Sequence, residues 1–463
     1  MQIQKTKTLT WMALFLQFIL LLTLGTFNVQ LDYTSMSVMA IACTVIDVAL
    51  LKILCELPVI SIPNIFAYFS LMFHCGQLIK EGFNIAGTVP LPFEYYGDSD
   101  TIQKSFAFFV LSQTVYYAGV VMFHGQKGQK QKWKSFDAVD ILTYAKVLIA
   151  VGIIPHLYID ILSLLGAMSG GYEGVYSLYF PQAIQSIAFF FDAGLFFLLF
   201  GLRRKATQRM WFLLIIVYKC VMMSTGARQE KVAFLLVWIY IYFFVLNKIT
   251  LGKLFFLAAA CVVGFMFISA IGTIRSSDTV SLGQTLMLIQ SGTMTNILGG
   301  ALGEFGSTFD TLEVAVKYTP SQIDYGYGRS YLAGACSVIP LLVNRIPFLS
   351  ETVMFVSQLP RNITFALGGS FLGELYYNFS WFGVLGSAIV GSFMSRLHTG
   401  ITIKSDSESG IIYQVWCSIL ATAMILFVRG YFTDMVQKLI WTYWMICLVR
   451  VYVLQKSNRK VST

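Results

Sequence analysis

The sequence predicts an all-α, polytopic integral membrane protein. Of its 463 residues, 57% are hydrophobic and only 12% are charged, against about 25% charged in an ordinary soluble domain. Mean hydropathy is +0.70, and so few charges cannot cover a soluble surface. The apolar residues also fall in runs of about 20, the length of one helical crossing. The first run is long enough to stay in the membrane rather than serve as a cleaved signal. The net charge of +9 does not indicate nucleic-acid binding, because the basic residues cluster where membrane topology places them.

Reading along the chain gives about twelve spans. They cover residues 11–29, 35–54, 57–79, 105–123, 139–165, 181–202, 210–225, 232–246, 254–274, 371–395, 410–428 and 436–454. Lys and Arg in the connections orient them. With Lys5 and Lys7 in the cytoplasm, Lys127, Lys130, Lys132 and Lys134 fall inside, as do Arg203, Arg204, Lys205 and Arg209. The tail with Lys456, Arg459 and Lys460 joins them. Inversion would place the two densest basic loops outside, so both termini are expected in the cytoplasm.

One segment breaks the pattern of short loops. Residues 275–369 form a large external loop with apolar stretches at 285–302 and 331–343, which predict short helices of its own. Loops of this length in a compact protein are usually functional. The expected organisation is a membrane bundle of about nine spans over 1–274, the outer loop over 275–369, and a bundle of about three spans over 370–463. Most of the eight Cys lie in apolar runs without CxxC or metal spacing, and they read as buried thiols. No Walker A, GxSxG or HExxH motif is present. Neither a metal nor a cofactor is expected, and any chemistry must draw on an already activated substrate.

Positive charge on the outer side runs against the topology rule and needs a reason. Arg228, Arg275, Arg329, Arg345, Arg361 and Arg429 fall there. A guanidinium presents a fork of donors that suits phosphate oxygens. The alternative for each is an interfacial anchor or a loop salt bridge. Arg228 lies in the hairpin Ser224-Thr225-Gly226-Ala227-Arg228-Gln229-Glu230-Lys231, too short to carry it far from the membrane face. Arg228 and Lys231 share a face if the next helix has begun, and backbone donors at that helix start would add to an anion site. Glu230 could instead neutralise Lys231 locally.

A second signal is Gly368-Gly369-Ser370-Phe371-Leu372-Gly373-Glu374-Leu375-Tyr376-Tyr377-Asn378-Phe379. Ser370, Glu374 and Asn378 follow at helical spacing and make one polar stripe. Glu374 at the outer end of a span is a packing residue, the partner of an Arg, or a base with a raised pKa. Weaker signals are His74 near a span end, the spacing of His156 and Asp160, the pair Asp434 and Lys438, and the intramembrane Asp47, Asp192 and Lys219.

With these features the chain resembles the O-antigen polymerase family, the Wzy-type oligosaccharide repeat-unit polymerases. The likeness rests on the span count with both ends inside and on the Thr-Gly-Ala-Arg228 hairpin. It also rests on the large outer loop before the last three spans, and on the Gly-rich segment running through Glu374 to Phe379. Two positions depart from the pattern: Ser380 stands where Gly follows Asn-Phe, and Ala227 where Ser is common before the Arg.

The resemblance implies a C-type, metal-independent glycosyltransferase on the outer face of the bacterial cytoplasmic (inner) membrane. Its donor would be a growing glycan on undecaprenyl diphosphate and its acceptor a repeat unit on the same lipid. A chain-length regulator and a flippase of the same pathway are the implied partners. The leaving diphosphate needs charge stabilisation, for which Arg228 is the first candidate, then Arg329, Arg361 and Arg275, with Lys231 beside Arg228. No His lies between Arg275 and Arg396, so a side-chain base there would be a carboxylate: Glu374 first, Glu304 or Asp310 second. Tyr327, with Tyr325 and Tyr331, could stack on sugar faces, and Asn378 completes the stripe. An O-antigen ligase shares the layout but typically uses an outer-loop His. A lipid-linked oligosaccharide flippase would instead use charges along its spans.

Overall fold

The structure is a computed structural model. It describes residues 2–26, 30–87, 92–124, 141–223, 225, 228–247, 252, 294–340, 342–360, 363, 367–403 and 407–461. The expected span over 254–274 and the candidate residues Arg275 and Arg361 lie outside the described residues.

Among the described residues every regular element is a helix. In chain order these are α1 (Gln2–Thr26), α2 (Tyr33–Leu54), α3 (Ile62–Gly82), α4 (Ser99–Phe123) and α5 (Ile141–Tyr176). Then follow α6 (Gln182–Gly201), α7 (Lys205–Met223) and α8 (Gln229–Tyr240, continued as a π-helix over Ile241–Leu246). The segment read as the large loop supplies α9 (Met294–Gly306), α10 (Thr308–Tyr318) and α11 (Arg329–Cys336). The last elements are α12 (Phe371–Phe379), α13 (Gly383–Thr402), α14 (Glu408–Phe427) and α15 (Phe432–Val461). Seven helical stretches among the described residues are long and apolar enough to cross a membrane: Tyr33–Leu54, Ser99–Phe123, Ile141–Ser169, Gln182–Gly201, Lys205–Met223, Gln229–Leu246 and Glu408–Phe427. At the expected first span the apolar helix is shorter, Thr8–Thr23.

The expected continuous span over 371–395 is divided. α12 has nine residues, about 14 Å at the α-helical rise, and cannot cross an apolar core of about 30 Å. The break falls at Ser380, with φ 51° and ψ −140°, a region that is essentially glycine's and costs about 1–3 kcal/mol for another residue. This is the position where the resemblance leads one to expect Gly. A 3₁₀ turn over Ser380–Phe382 follows, and α13 begins at Gly383, close to Leu375 of α12. A Cβ on Gly383 would lie 2.5 Å from the Leu375 carbonyl oxygen, so only glycine admits that return.

The chain forms two compact units. The first comprises Met1–Gly128, Thr293–Thr399 and Met424–Asp434. There α3 packs against α2 and α9, α1 against α4, and α10 against α12. Small residues let the backbones meet, as membrane helices require. A Cβ on Gly76 would stand 2.6 Å from the Leu302 carbonyl, and one on Gly119 would stand 2.8 Å from Ala388 Cα. Aromatic rings fill the remaining space. Phe66 stacks on Tyr116 at 5.1 Å and meets Phe371 edge-on at 5.6 Å.

The second unit comprises Gln129–Gly292, Gly400–Ala423 and Met435–Thr463. Its long α5 packs along α6. Several of its intramembrane polar groups face one another, as an apolar solvent favours. Lys219 Nζ lies 2.5 Å from Asp192 Oδ1, and His156 Nε2 lies 3.5 Å from Asp160 Oδ2. Tyr218 donates to Asp160, and Tyr144 donates to Glu408 Oε1 at 2.9 Å. The charges that suggested a transport path are thus matched in pairs here, and Asp47 in the first unit accepts from Gln17 at 3.5 Å.

Candidate functional site

The polar stripe of α12 forms as its spacing predicts, and it is wholly enclosed. Ser370, Glu374 and Asn378 are each 0% exposed. Ser370 caps α12 by accepting from Gly373 N at 3.1 Å. Its hydroxyl also meets His74 Nε2 at 3.0 Å, while His74 Nδ1 lies 3.0 Å from the Ser70 carbonyl. A carbonyl only accepts, so Nδ1 carries the proton and Nε2 accepts from Ser370. The sequence marked His74 only by its place near a span end, and the bond to Ser70 is the local one of its two contacts. The fold adds a partner almost three hundred residues away.

Both oxygens of Glu374 are occupied. Oε1 accepts from Ser330 Oγ at 2.6 Å, and Oε2 accepts from Phe432 N at 2.9 Å. The second bond places a carboxylate at the N-terminus of α15, where a backbone N–H lacks a helical partner. Asp434 closes the same turn by accepting from Tyr431 N at 2.8 Å. Burial pushes the Glu374 carboxyl up to about 7, opposed by the Ser330 and Phe432 bonds.

Asn378 holds the turn that precedes α11. Its Nδ2 donates to Ser330 Oγ and to the Glu374 carbonyl, each at 2.8 Å, and its Oδ1 accepts from Gly328 N at 2.8 Å. Gly326 N and Tyr327 N bond the carbonyls of Tyr377 and Asn378 at 2.9 and 3.1 Å. The chain turns here through two left-handed residues, Tyr327 at φ 48° and Gly328 at φ 85°. Tyr327 projects from the turn at 72% exposed, with Tyr325 6.1 Å away centroid to centroid. Arg329 opens α11 and is exposed. Its guanidinium makes no hydrogen bond or ion pair among the described residues.

Beside α12, helix α10 carries an acidic pair, Asp310 and Glu313. Both are buried, and Asp310 Oδ1 and both Glu313 carboxyl oxygens have no hydrogen-bond partner among the described residues. Burial pushes Asp310 up to about 8, against the Arg429 guanidinium, which favours its charged form. Glu313 is raised well above the usual carboxylate range, by burial first and by Asp310 second. The sequence reading named Asp310 but passed over Glu313, although the three-residue spacing puts the two on one helical face. It also missed Ser330, whose role as a donor to Glu374 no sequence pattern carries. Glu304 lies on α9, half-buried, and its carbonyl accepts from Ser307 Oγ at 2.8 Å.

Arg228 and Lys231 belong to the second unit. Arg228 is the N-cap residue of α8, and its carbonyl accepts from Val232 N at 2.9 Å. The helix has therefore begun where the sequence reading required. Both side chains are buried. Glu230 reaches Lys438 Nζ at 2.6 Å.

The family model of the O-antigen polysaccharide polymerase Wzy matches residues 9–460. The chain belongs to this family. No curated protein and no solved structure matches it. As a Wzy polymerase it is a multi-pass membrane protein of the glycosyltransferase type. It polymerises lipid-linked oligosaccharide repeat units in polysaccharide biosynthesis. Among the described residues no group of three or more His, Cys, Asp or Glu is arranged to hold a metal ion.

The raised carboxyls make a pH prediction for this polymerase. The folded state holds protons on Glu374 and Asp310 that an unfolded chain releases near 4.5 and 3.8. Their contribution is therefore most favourable below those values. It is lost as pH rises through about 7 for Glu374 and about 8 for Asp310. Thermal unfolding in lipid nanodiscs should give a midpoint that falls from pH 5 to pH 8.5, and Asp310→Asn should flatten the upper part. A midpoint that rises over that range, or an unchanged slope in the variant, would contradict it.

Proposed function

We propose that this Wzy polymerase elongates a surface glycan on the outer face of the bacterial cytoplasmic membrane, with both termini in the cytoplasm. The step is a metal-independent, C-type glycosyl transfer. The growing glycan leaves undecaprenyl diphosphate and joins the non-reducing end of an incoming repeat unit on the same lipid. The bond from the anomeric carbon to the diphosphate oxygen breaks, and one from that carbon to the acceptor hydroxyl oxygen forms. The hydroxyl proton passes to a carboxylate, and undecaprenyl diphosphate departs with the bonding electrons. The observation that carries the reading is the family match over residues 9–460.

In this scheme Arg228 stabilises the departing diphosphate, assisted by Lys231, Arg329, Arg275 and Arg361. Glu374 takes the proton, and its elevation to about 7 suits a base working near neutrality. The Ser330 hydroxyl, 2.6 Å from Oε1, stands where an acceptor hydroxyl would donate. Access therefore requires the turn before α11 to lift, exchanging one hydroxyl for another. Asp310 and Glu304 are the alternative carboxylates, Asn378 holds the turn, and Tyr327 offers its exposed ring to sugar. A flippase that delivers repeat units and a chain-length regulator are the partners such a step calls for.

The test is the surface glycan of cells lacking the protein. Glycan capped at one repeat unit is expected, because export and attachment survive while elongation stops. Repeat units stranded on the lipid facing the cytoplasm would instead indicate a flippase. Full-length polymer stranded on the outer face would indicate a ligase.

A further inference from the structure

Residues 324–329, which lead into α11, carry side chains that the proposed chemistry leaves largely unused. Their backbone is bound to α12 through Gly326 N and Tyr327 N, which donate to the carbonyls of Tyr377 and Asn378. The approach is close: a Cβ on Gly326 would stand 2.4 Å from the Tyr377 ring. Phe355 stacks on Tyr377 at 5.1 Å, so the ring is buried and fixed. Gln358, itself exposed, donates from Nε2 to the Tyr377 hydroxyl at 2.9 Å. Asp324 and Arg329 are exposed too, and the charges of both act on that same hydroxyl. Neither side chain makes a hydrogen bond or ion pair among the described residues, although their charges are opposite. Tyr327 adds a ring that is 72% exposed, and Tyr325 beside it is held by its hydroxyl, which donates to Ser380 Oγ at 3.1 Å.

These groups match the surface of a sugar. A pyranose presents an apolar C–H face, which an exposed aromatic ring can cover, and a rim of hydroxyls that both donate and accept. A carboxylate accepts from such hydroxyls, and an amide does both. Gln358 spends one N–H on Tyr377 and keeps its carbonyl oxygen and second N–H for a ligand. An acyl chain would leave Asp324 and Gln358 unanswered, and the Asp324 carboxylate repels a phosphate. We propose that Asp324, Tyr327 and Gln358 form the subsite for the non-reducing-end sugar of the acceptor repeat unit. Place assigns it to the acceptor. Tyr377 and Glu374 are three residues apart on α12, about 5–6 Å between Cβ atoms, within the reach of one sugar ring. Ser330, which occupies Glu374 Oε1, follows directly on the same stretch of chain. The sugar therefore sits on the element that has to move before its hydroxyl meets the base. Tyr377 acts through Gln358 and is a positioning residue, while Arg329 keeps its part at the diphosphate. The inference rests on the reading of Glu374 as the base and adds to it the groups that seat the acceptor.

The test uses the full-length protein in phosphatidylcholine nanodiscs. The donor is lipid-linked repeat unit extracted from cells lacking the protein, and the acceptor is the oligosaccharide released from that lipid. Without its diphosphate the released oligosaccharide can accept glycan but cannot donate it. Asp324→Ala, Gln358→Ala and Tyr327→Ala should each raise KM for this acceptor by about three- to tenfold, the worth of one hydrogen bond or one ring contact, with kcat little changed. Tyr327→Phe keeps the ring and should lose less than Tyr327→Ala. Tyr377→Phe frees Gln358 and should raise KM less than Gln358→Ala. A merely misfolded variant would lower kcat instead. Unchanged KM in Asp324→Ala and Tyr327→Ala overturns the proposal, and so does a loss confined to kcat. Glu374→Gln separates the two levels. If it abolishes turnover while the subsite variants keep the wild-type KM, the subsite fails and the base reading stands. If it turns over like the wild type while the subsite variants raise KM, the base reading fails and the sugar subsite stands. A Tyr327→Ala variant with unchanged KM, whose thermal midpoint varies with the lipid of the disc, would make the ring an interfacial anchor and overturn the proposal as well.

Discussion

Arg228→Ala is expected to leave cells with surface glycan of a single repeat unit while the protein accumulates normally. The argument is electrostatic. The departing diphosphate gains negative charge as its bond to the sugar breaks, and a fixed donor aimed at that charge is typically worth about 100- to 1,000-fold in rate. Arg228 is the N-cap residue of α8 and is buried, so the residue that carries the charge is also the one that begins the helix. Arg228→Lys should fall between wild type and Ala, because it keeps the charge and loses the fork. The measurement is polymer length on gels, together with turnover of purified protein at matched expression. Normal polymer from Arg228→Ala would remove this residue from the mechanism.

Glu374→Ala is expected to lower stability by about 2–5 kcal/mol, the range for stranding buried partners of a carboxylate. Ser330 Oγ and Phe432 N both lose their acceptor. These two bonds join three elements, since Ser330 is on α11, Glu374 on α12 and Phe432 at the start of α15. Glu374→Gln separates structure from chemistry. Its carbonyl oxygen still accepts from Phe432 N and its amide faces the Ser330 oxygen, so most of the fold survives, whereas an amide cannot take a proton from the acceptor. Thermal unfolding should therefore drop strongly for Ala and modestly for Gln, with polymer lost in both. An Ala variant as stable as wild type would dismiss the joint. A Gln variant that polymerises at wild-type rate would transfer the base to another carboxylate, Asp310 first, since its Oδ1 is unpartnered among the described residues.

The stripe of α12 was legible because helical spacing is local: Ser370, Glu374 and Asn378 had to share a face once the segment was a helix. Their partners were not legible. Ser330 and His74 lie 44 and 296 residues from the stripe residues they bond, and nothing in their own neighbourhoods marks them. Glu313 was within reach, because its spacing from Asp310 is as local as that of the stripe. The division of the expected span over 371–395 was not, because hydropathy continues unbroken across Ser380. Only the left-handed backbone there and the close return of Gly383 onto Leu375 end α12.

Composition and apolar run length determined that this chain is helical and membrane-embedded. A bilayer core leaves a predominantly apolar chain few other ways to satisfy its backbone. The sequence also determined the Glu374 stripe and the helix start after Arg228, both set by contacts within a few residues. The tertiary structure alone decided which ionisable groups find a partner, and which partner. Lys219 found Asp192, Glu230 found Lys438, and Glu374 found a hydroxyl and a backbone N–H. Burial and partner choice depend on which helices pack together, and that arises from the whole chain's packing rather than from any local pattern.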